Sequence, residues 1–502
     1  MALQNALPVG ASCPPKPHPR SLSTAWRGRA QRANFSRFGK VFSARFPLAT
    51  KWRGGQGVRL RRAGGLLILA LLLALSPLRA EPPKVTATAV RAEFDRLAVL
   101  PLWPGFEPLK TPVAIYDGER TILVRHPSPP EGFKSEGDFQ VFPGRHPAMN
   151  ANNGVDLGGV KTATLIVHPE AGPSAREWAS TLIHETFHVF QRRRHSTWQG
   201  DEGELFLYPT GDAALLAARR LETEGLRRAL KAADAREAAC WTGQALERRR
   251  ERFGHMPPGA VGYERGSELN EGLATFVEKL SLGKTQGPDL PAAEYGAEDV
   301  RDRFYAIGWA EAALLDRFDP AWRRALEDGK GASLDEMLSQ AIAGKPAAAC
   351  AFTPAEVDAA QERAKTDVQA LARTQRETRD AFLARPGWTI EIVAAAHPLE
   401  LRGFDPLNVS LVAPGEILHR RYLELGNEGS ALKVLDEQAL TQAAGEHPLF
   451  NGVKDLRMTG LPAEPKVGQE GDLTTIEAAG LTAKLKGAKV EKGDKSFKFI
   501  LP

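Results

Sequence analysis

"STLIHETFHVFQRRRH", Ser180 to His195, decides how the rest of the chain is read. Two histidines stand four apart with a glutamate directly after the first. On an α-helix such histidines share one face, one turn apart, so His184 and His188 can offer ring nitrogens to a single metal ion. Glu185 points about 100° round the same helix, beside the open coordination position. On a helical wheel Trp178, Leu182 and Val189 form one apolar flank and Ile183, Phe187 and Phe190 the other. The helix is therefore expected to be buried on both sides, with the polar trio in the strip between, where an idle histidine is costly. The reading without chemistry is a pair of hydrogen-bonded core histidines. The reading with it is Zn2+ on His184 and His188, with Glu185 as the general base that takes a proton from water brought to a pKa of about 7.

Outward from this stretch, Ser174 and Glu177 form a capping box that starts the helix. Helical patterns continue to about Leu383. Gly211–Phe253 reads as one long or two consecutive helices, "SELNEGLATFVEKL", "RFYAIGWAEAALLDRF" and "SLDEML" follow, and a last helix opens with Thr353, Pro354 and Glu356 in N-cap, N1 and N3 roles. Before Gly172 the chain is rich in Pro and Gly, with a helix around Val90 to Leu97 and short apolar runs "RLAVLPL", "VAIYDG", "TILVRH" and "TATLIVH" expected as strands. After Arg385-Pro386-Gly387 short alternating runs such as "WTIEIVAA", "NVSLVAP", "RRYLEL" and "SFKFILP" predict strands again. The expected class is α+β: an N-terminal α/β region over 81–172, a mainly helical domain over 173–385 and a β domain over 386–502. No internal repeat and no phosphate-cradling glycine loop is visible.

The 502 residues, 42% apolar and 25% charged, have a globular composition. The net charge of +5 misleads, because residues 1–80 hold fourteen Lys and Arg and no acid; without them 52 basic residues face 61 acidic ones, or −9. Nothing in that balance calls for nucleic acid. Within "RLRRAGGLLILALLLALSPLRAEPP" a basic flank precedes an apolar core from Leu66 to Leu75, then Pro77 and a small residue, Ala80. That is the layout of a signal peptide over 58–80, with residues 1–57 an Arg-rich leader or translation called upstream of the true start. The exported protein would be secreted or periplasmic, and an uncleaved segment would anchor it to a membrane. Cys13 falls in the leader, leaving Cys240 and Cys350 to form one disulfide or to remain as buried thiols.

The third ligand separates the zinc classes. Gln191 and Arg194 occupy the positions where a metzincin carries Gly and His, so that class fails. "ELNEGLATFVE", Glu268 to Glu278, resembles the Asn-Glu-Gly helix of gluzincin peptidases, the thermolysin, aminopeptidase and leukotriene-hydrolase group. By that similarity Glu271 completes a His, His, Glu zinc site, with Glu268 and Glu222 as reserves. It lies 83 positions past His188 (271 minus 188), so Gly211–Phe253 would be an insertion. The alternative is that Glu264, Glu268, Glu271 and Glu278 form a solvated face opposite an apolar stripe. "FYAIGWAEAALLDRF" is similar to the group's Tyr-x-Lys-Gly helix: Tyr305 and Gly308 match, and Ile307 replaces the lysine. The resemblance makes Tyr305 the oxyanion donor, with Tyr263 next in line. No Gly-x-Met-Glu-Asn segment that would hold a free amino group is seen, which favours an endopeptidase.

The reading is an exported zinc metallopeptidase acting on peptides or proteins. A metallopeptidase-like binding protein without activity, or a zinc hydrolase of a non-peptide substrate, are the alternatives. "KTATLIVHPE" would be an ordinary sheet strand or an edge that pairs with an extended substrate.

Overall fold

A computed structural model describes residues 84–149, 151–168, 172–292, 295–329, 333–405 and 408–502. The leader and the signal segment lie outside the described residues. Helix α1 (Ala87–Leu97) buries Ala87, Val90, Phe94 and Leu97, a three-and-four spacing that gives it one apolar face. The strand expected at "RLAVLPL" is not formed. Its first two residues complete α1, and the rest is a turn in which Val99 is 70% exposed, because Leu97 belongs to the helical stripe rather than to an alternation.

Six strands follow: β1 (Val113–Tyr116), β2 (Arg120–Val124), β3 (Lys134–Glu136), β4 (Phe139–Pro143), β5 (Asn153–Leu157) and β6 (Val160–Ile166), in the order β3-β4-β2-β1-β6-β5. Only β1 and β6 run parallel. Gly158 and Gly159, at φ +57° and +83°, make the two-residue turn from β5 to β6, a conformation that favours glycine at both positions. "KTATLIVHPE" is therefore an interior strand. β6 is paired with β1 on one side and β5 on the other, so the edge beside the histidine helix belongs to β5.

Helix α2 (Ala175–Arg194) starts at the expected capping box, with Ser174 N donating to Glu177 Oε2 at 2.8 Å. It is buried almost continuously from Ala179 to Gln191. Gly211–Phe253 forms two helices, α3 (Ala213–Lys231) and α4 (Ala235–Phe253), with Asp234 capping the second. Then come α5 (Pro258–Ser267), a π turn at Glu268–Gly272, α6 (Leu273–Ser281), α7 (Val300–Phe318), α8 (Trp322–Glu327), α9 (Leu334–Ile342) and α10 (Pro354–Leu383). One apolar core runs from Val90 and Ile115 through Leu182 and Phe187 to Phe276 and Trp322, so the sheet and the helices are stabilised together across the boundary at 172.

Thirteen strands between Trp388 and Ile500 form a seven-stranded and a six-stranded sheet. Ile390, Ile392, Met458 and Phe499 of the first meet Leu423, Leu425, Val434 and Ile476 of the second, the packing of a β-sandwich. It is joined to the helices by Arg379 of α10 with Glu416, and by the Thr459 hydroxyl donating to the Phe382 carbonyl at 2.5 Å. The chain is thus a mixed α+β structure, and no described helix is long and apolar enough to cross a membrane.

Candidate metal centre

Two helical segments supply the residues. α2 brings His184 and His188 onto one face, and the π turn brings Glu271 up to meet them. A π turn shifts the helical register by one residue, and such turns concentrate at functional sites. Here it ends at Gly272, which lies against Gly308 of α7: a Cβ on Gly272 would stand 2.5 Å from Gly308 Cα. The glycines of the "NEG" and "YAIG" motifs thus let two backbones touch and place Tyr305 beside the triad.

His188 Nε2 is 3.0 Å from His184 Nε2 and 3.1 Å from Glu271 Oε2, and His184 Nε2 is 3.6 Å from that oxygen. Tetrahedral zinc with bonds of about 2.0 to 2.2 Å separates its ligands by about 3.3 to 3.6 Å, so the triangle is close to what one ion needs. All three residues are buried, each no more than 8% exposed.

Proton placement leads to the same demand. Gln191 Nε2 donates to the carbonyls of Leu269 and Asn270, both at 3.0 Å. Its Oε1 is then free to accept from His188 Nδ1 at 2.9 Å, which in the neutral ring leaves Nε2 as a bare lone pair aimed at the triad. His184 Nδ1 faces Glu278 Oε2 at 3.3 Å, off the line of a good hydrogen bond, and that carboxylate favours the same tautomer. With both rings neutral, two lone pairs and a carboxylate oxygen face one another, a repulsion that a proton on His184 or a metal ion relieves. Burial lowers the basicity of His184, but Glu271 and Glu278 overcome it and raise its pKa to about 10, so the pocket pulls positive charge to itself. The donor set of two imidazoles and one carboxylate suits zinc.

Glu185 is 6% exposed and has no hydrogen-bond partner among the described residues. Burial pushes its carboxyl up against the pull of both histidines, the setting of a proton acceptor rather than of an ion pair. The Tyr305 ring stacks on His184 with centroids 6.3 Å apart, and its hydroxyl interacts with Glu271 and Arg301. Burial pushes that phenol up and keeps it a donor. Tyr263 is committed elsewhere, donating to Glu202 Oε2 at 3.2 Å, and Ile307 is fully buried.

The two reserve ligands have another use. Glu222 accepts from Arg303 Nη2 at 2.6 Å, Arg252 Nη2 at 2.6 Å and Arg249 Nη1 at 2.9 Å, while Glu268 pairs with Arg249. Arg252 and Arg303 also hold Glu264, whose carboxyl they keep well below its usual range despite burial. The four glutamates are thus not a solvated face: Glu264, Glu268 and Glu271 are buried, and Glu278 is largely so. Nor is the α3–α4 pair a peripheral insertion, since it carries Glu222, Arg249 and Arg252 under the π turn. Cys240 and Cys350 form a disulfide.

The sequence assigned no role to Gln191 or Arg301 at this site and offered Glu278 only as part of a solvated face, whereas it faces His184. Gln191, three residues after His188, carried the only available signal, because that spacing places it on the same helical face. Compared with known proteins, the chain matches no family model, no curated protein and no solved structure.

Proposed function

We propose that the protein is an exported zinc-dependent endopeptidase of gluzincin type. The observation that carries this reading is the meeting of three buried acceptor atoms, His184 Nε2, His188 Nε2 and Glu271 Oε2, beside a buried Glu185 that has no hydrogen-bond partner among the described residues. Zinc held by those three residues would supply a Lewis acid that lowers the pKa of water and polarises a carbonyl.

The chain's own groups do the rest. Glu185 takes the proton of the attacking water and passes it to the amine that leaves as the C–N bond breaks. The Tyr305 hydroxyl donates to the oxygen that becomes negative as the carbonyl carbon turns tetrahedral. An extended substrate pairs with the outer edge of β5, where Gly154 lies against Val189 and Arg192 of α2. The Cys240–Cys350 bond supports export, since such bonds persist in oxidising compartments.

The test is zinc content and cleavage of unfolded protein substrates by wild type and Glu185→Gln. The variant should keep its zinc and lose about 10²- to 10⁴-fold in kcat. Zinc bound with cleavage that does not depend on Glu185, or with no cleavage of any peptide, would remove the peptidase reading.

A further inference from the structure

We infer that Arg301 is a positioning residue that keeps Glu271 a one-oxygen ligand, and that Glu202 holds Arg301 in place for this task. The inference rests on the metal-binding reading above.

The two oxygens of Glu271 have different neighbours. Oε2 faces the histidines at 3.1 and 3.6 Å, whereas Oε1 accepts from Arg301 Nη2 at 3.3 Å and from Asn270 Nδ2 at 3.4 Å. A carboxylate whose second oxygen is held by donors binds an ion through one oxygen only. With two imidazoles this makes three protein ligands and leaves one tetrahedral position for water or substrate. A carboxylate free to rotate could chelate through both oxygens and fill the position the reaction needs.

Arg301 stands one helical turn before Tyr305 on α7, and its side chain is 46% exposed, so by itself it would sample many rotamers. Glu202 limits that freedom. Its Oε2 accepts from Arg301 Nη1 at 3.1 Å and from the Tyr263 hydroxyl at 3.2 Å. The short helical turn that carries Glu202, Glu202–Leu207, is in turn seated by the β-sandwich. His447 accepts at Nδ1 from the amides of Leu449 and Phe450, both at 3.0 Å, so Nε2–H donates to the Gly203 carbonyl, also at 3.0 Å. The Phe450 ring covers Gly203 so closely that a Cβ there would lie 2.8 Å from it. A line of contacts thus runs from the β domain through Gly203, Glu202 and Arg301 to the ligand oxygen that must stay away from the metal.

Replacing Arg301 has opposite consequences under the two roles it could have. If the guanidinium matters only as a nearby positive charge, its removal tightens cation binding. If it positions Glu271, its removal loosens binding, because the ligand loses its orientation. The experiment uses the full-length protein, with Zn2+ affinity measured by chelator competition and the visible absorption of the Co2+-loaded protein recorded alongside.

Arg301→Met should weaken Zn2+ binding about 10- to 100-fold, the range for loss of an outer-shell partner. Its Co2+ spectrum should change from the intense bands of four-coordination to the weaker bands of higher coordination. Arg301→Lys, which keeps the charge but loses the planar fork, should fall between. Glu202→Gln, chosen because it leaves Arg301 and the fold in place, should shift both readouts in the same direction by a smaller factor. Unchanged or tighter Zn2+ binding in Arg301→Met and Glu202→Gln, with an unaltered Co2+ spectrum, overturns the inference while metal binding stands. A wild-type protein that takes up neither ion overturns both.

Discussion

Glu268 and Glu271 stand three residues apart in one π turn, and their surroundings could hardly differ more. Glu268 points into a buried cluster in which Arg249, Arg252 and Arg303 face Glu222, Glu264 and Asp335. Burial pushes the carboxyls of Glu268 and Glu311 up, against the pull of Arg249 beside them. Glu271 points the other way, at two imidazoles whose remaining nitrogens are directed by Gln191 and Glu278. The first cluster neutralises itself with protein groups and holds the fold. In the second only Arg301, at the far oxygen of Glu271, brings a guanidinium, and the three facing atoms of His184, His188 and Glu271 could hold a metal ion. Burial alone does not distinguish them; the difference is whether the partners complete each other.

The largest effect that would sharpen this contrast is expected from Glu264→Gln. It should cost about 3 to 5 kcal/mol in urea unfolding, because two buried guanidiniums lose a partner. Glu271→Gln should instead abolish Zn2+ uptake and make the melting temperature insensitive to EDTA, which should lower that of wild type. Equal stability losses in the two variants, with zinc retained in both, would erase the distinction. Next in size is the disulfide, which fastens α4, the carrier of Arg249 and Arg252, to a cysteine 110 positions further on. Paired Cys240→Ser and Cys350→Ser changes should cost about 2 to 5 kcal/mol. Zn2+ affinity should hardly change, since neither cysteine touches the triad.

The smallest effect concerns a third kind of buried ionisable group. His419 of the β-sandwich is fully buried, its Nε2 lies 3.1 Å from the Thr441 hydroxyl, and Nδ1 has no partner among the described residues. Burial pushes its pKa down to about 3 from 6.5. The folded protein therefore keeps His419 neutral while the unfolded chain takes up a proton, so stability is intact above pH 6.5 and falls as pH drops from there towards 3. By pH 5 the loss from this one group is about 2 kcal/mol. His419→Gln should flatten that part of the curve; an unchanged acid slope would show that the titration lies elsewhere.

Much of the site was legible in the chain. The four-residue spacing of His184 and His188, the capping box at Ser174 and the two apolar flanks of α2 are local patterns with a local cause, and each appears in the structure. The short strands were missed because β3 is exposed throughout, and β4 and β5, mostly half-buried, carry little alternation. The run "RLAVLPL" was misread because its first leucine belongs to a helical stripe. Gln191, Glu278 and Arg301 left no mark beyond their registers, since each acts through a partner distant in sequence or on another face.

The glutamates show where such reading stops. A 3.6-residue period predicts one stripe for Glu264, Glu268, Glu271 and Glu278, which the π turn breaks by turning Glu271 away from Glu268; what the sequence by itself determined is the helix that carries the histidines and the cysteines able to pair. Only the tertiary structure decided which carboxylates meet arginines and which meet imidazoles. Arg249 and Arg252 arrive on α4, which lies between the histidines and the glutamates in the chain, Arg303 arrives on α7, and two glycines, Gly272 and Gly308, set how closely α7 approaches. A carboxylate's role follows from the charge that packing brings against it, and that charge comes from segments tens of residues away.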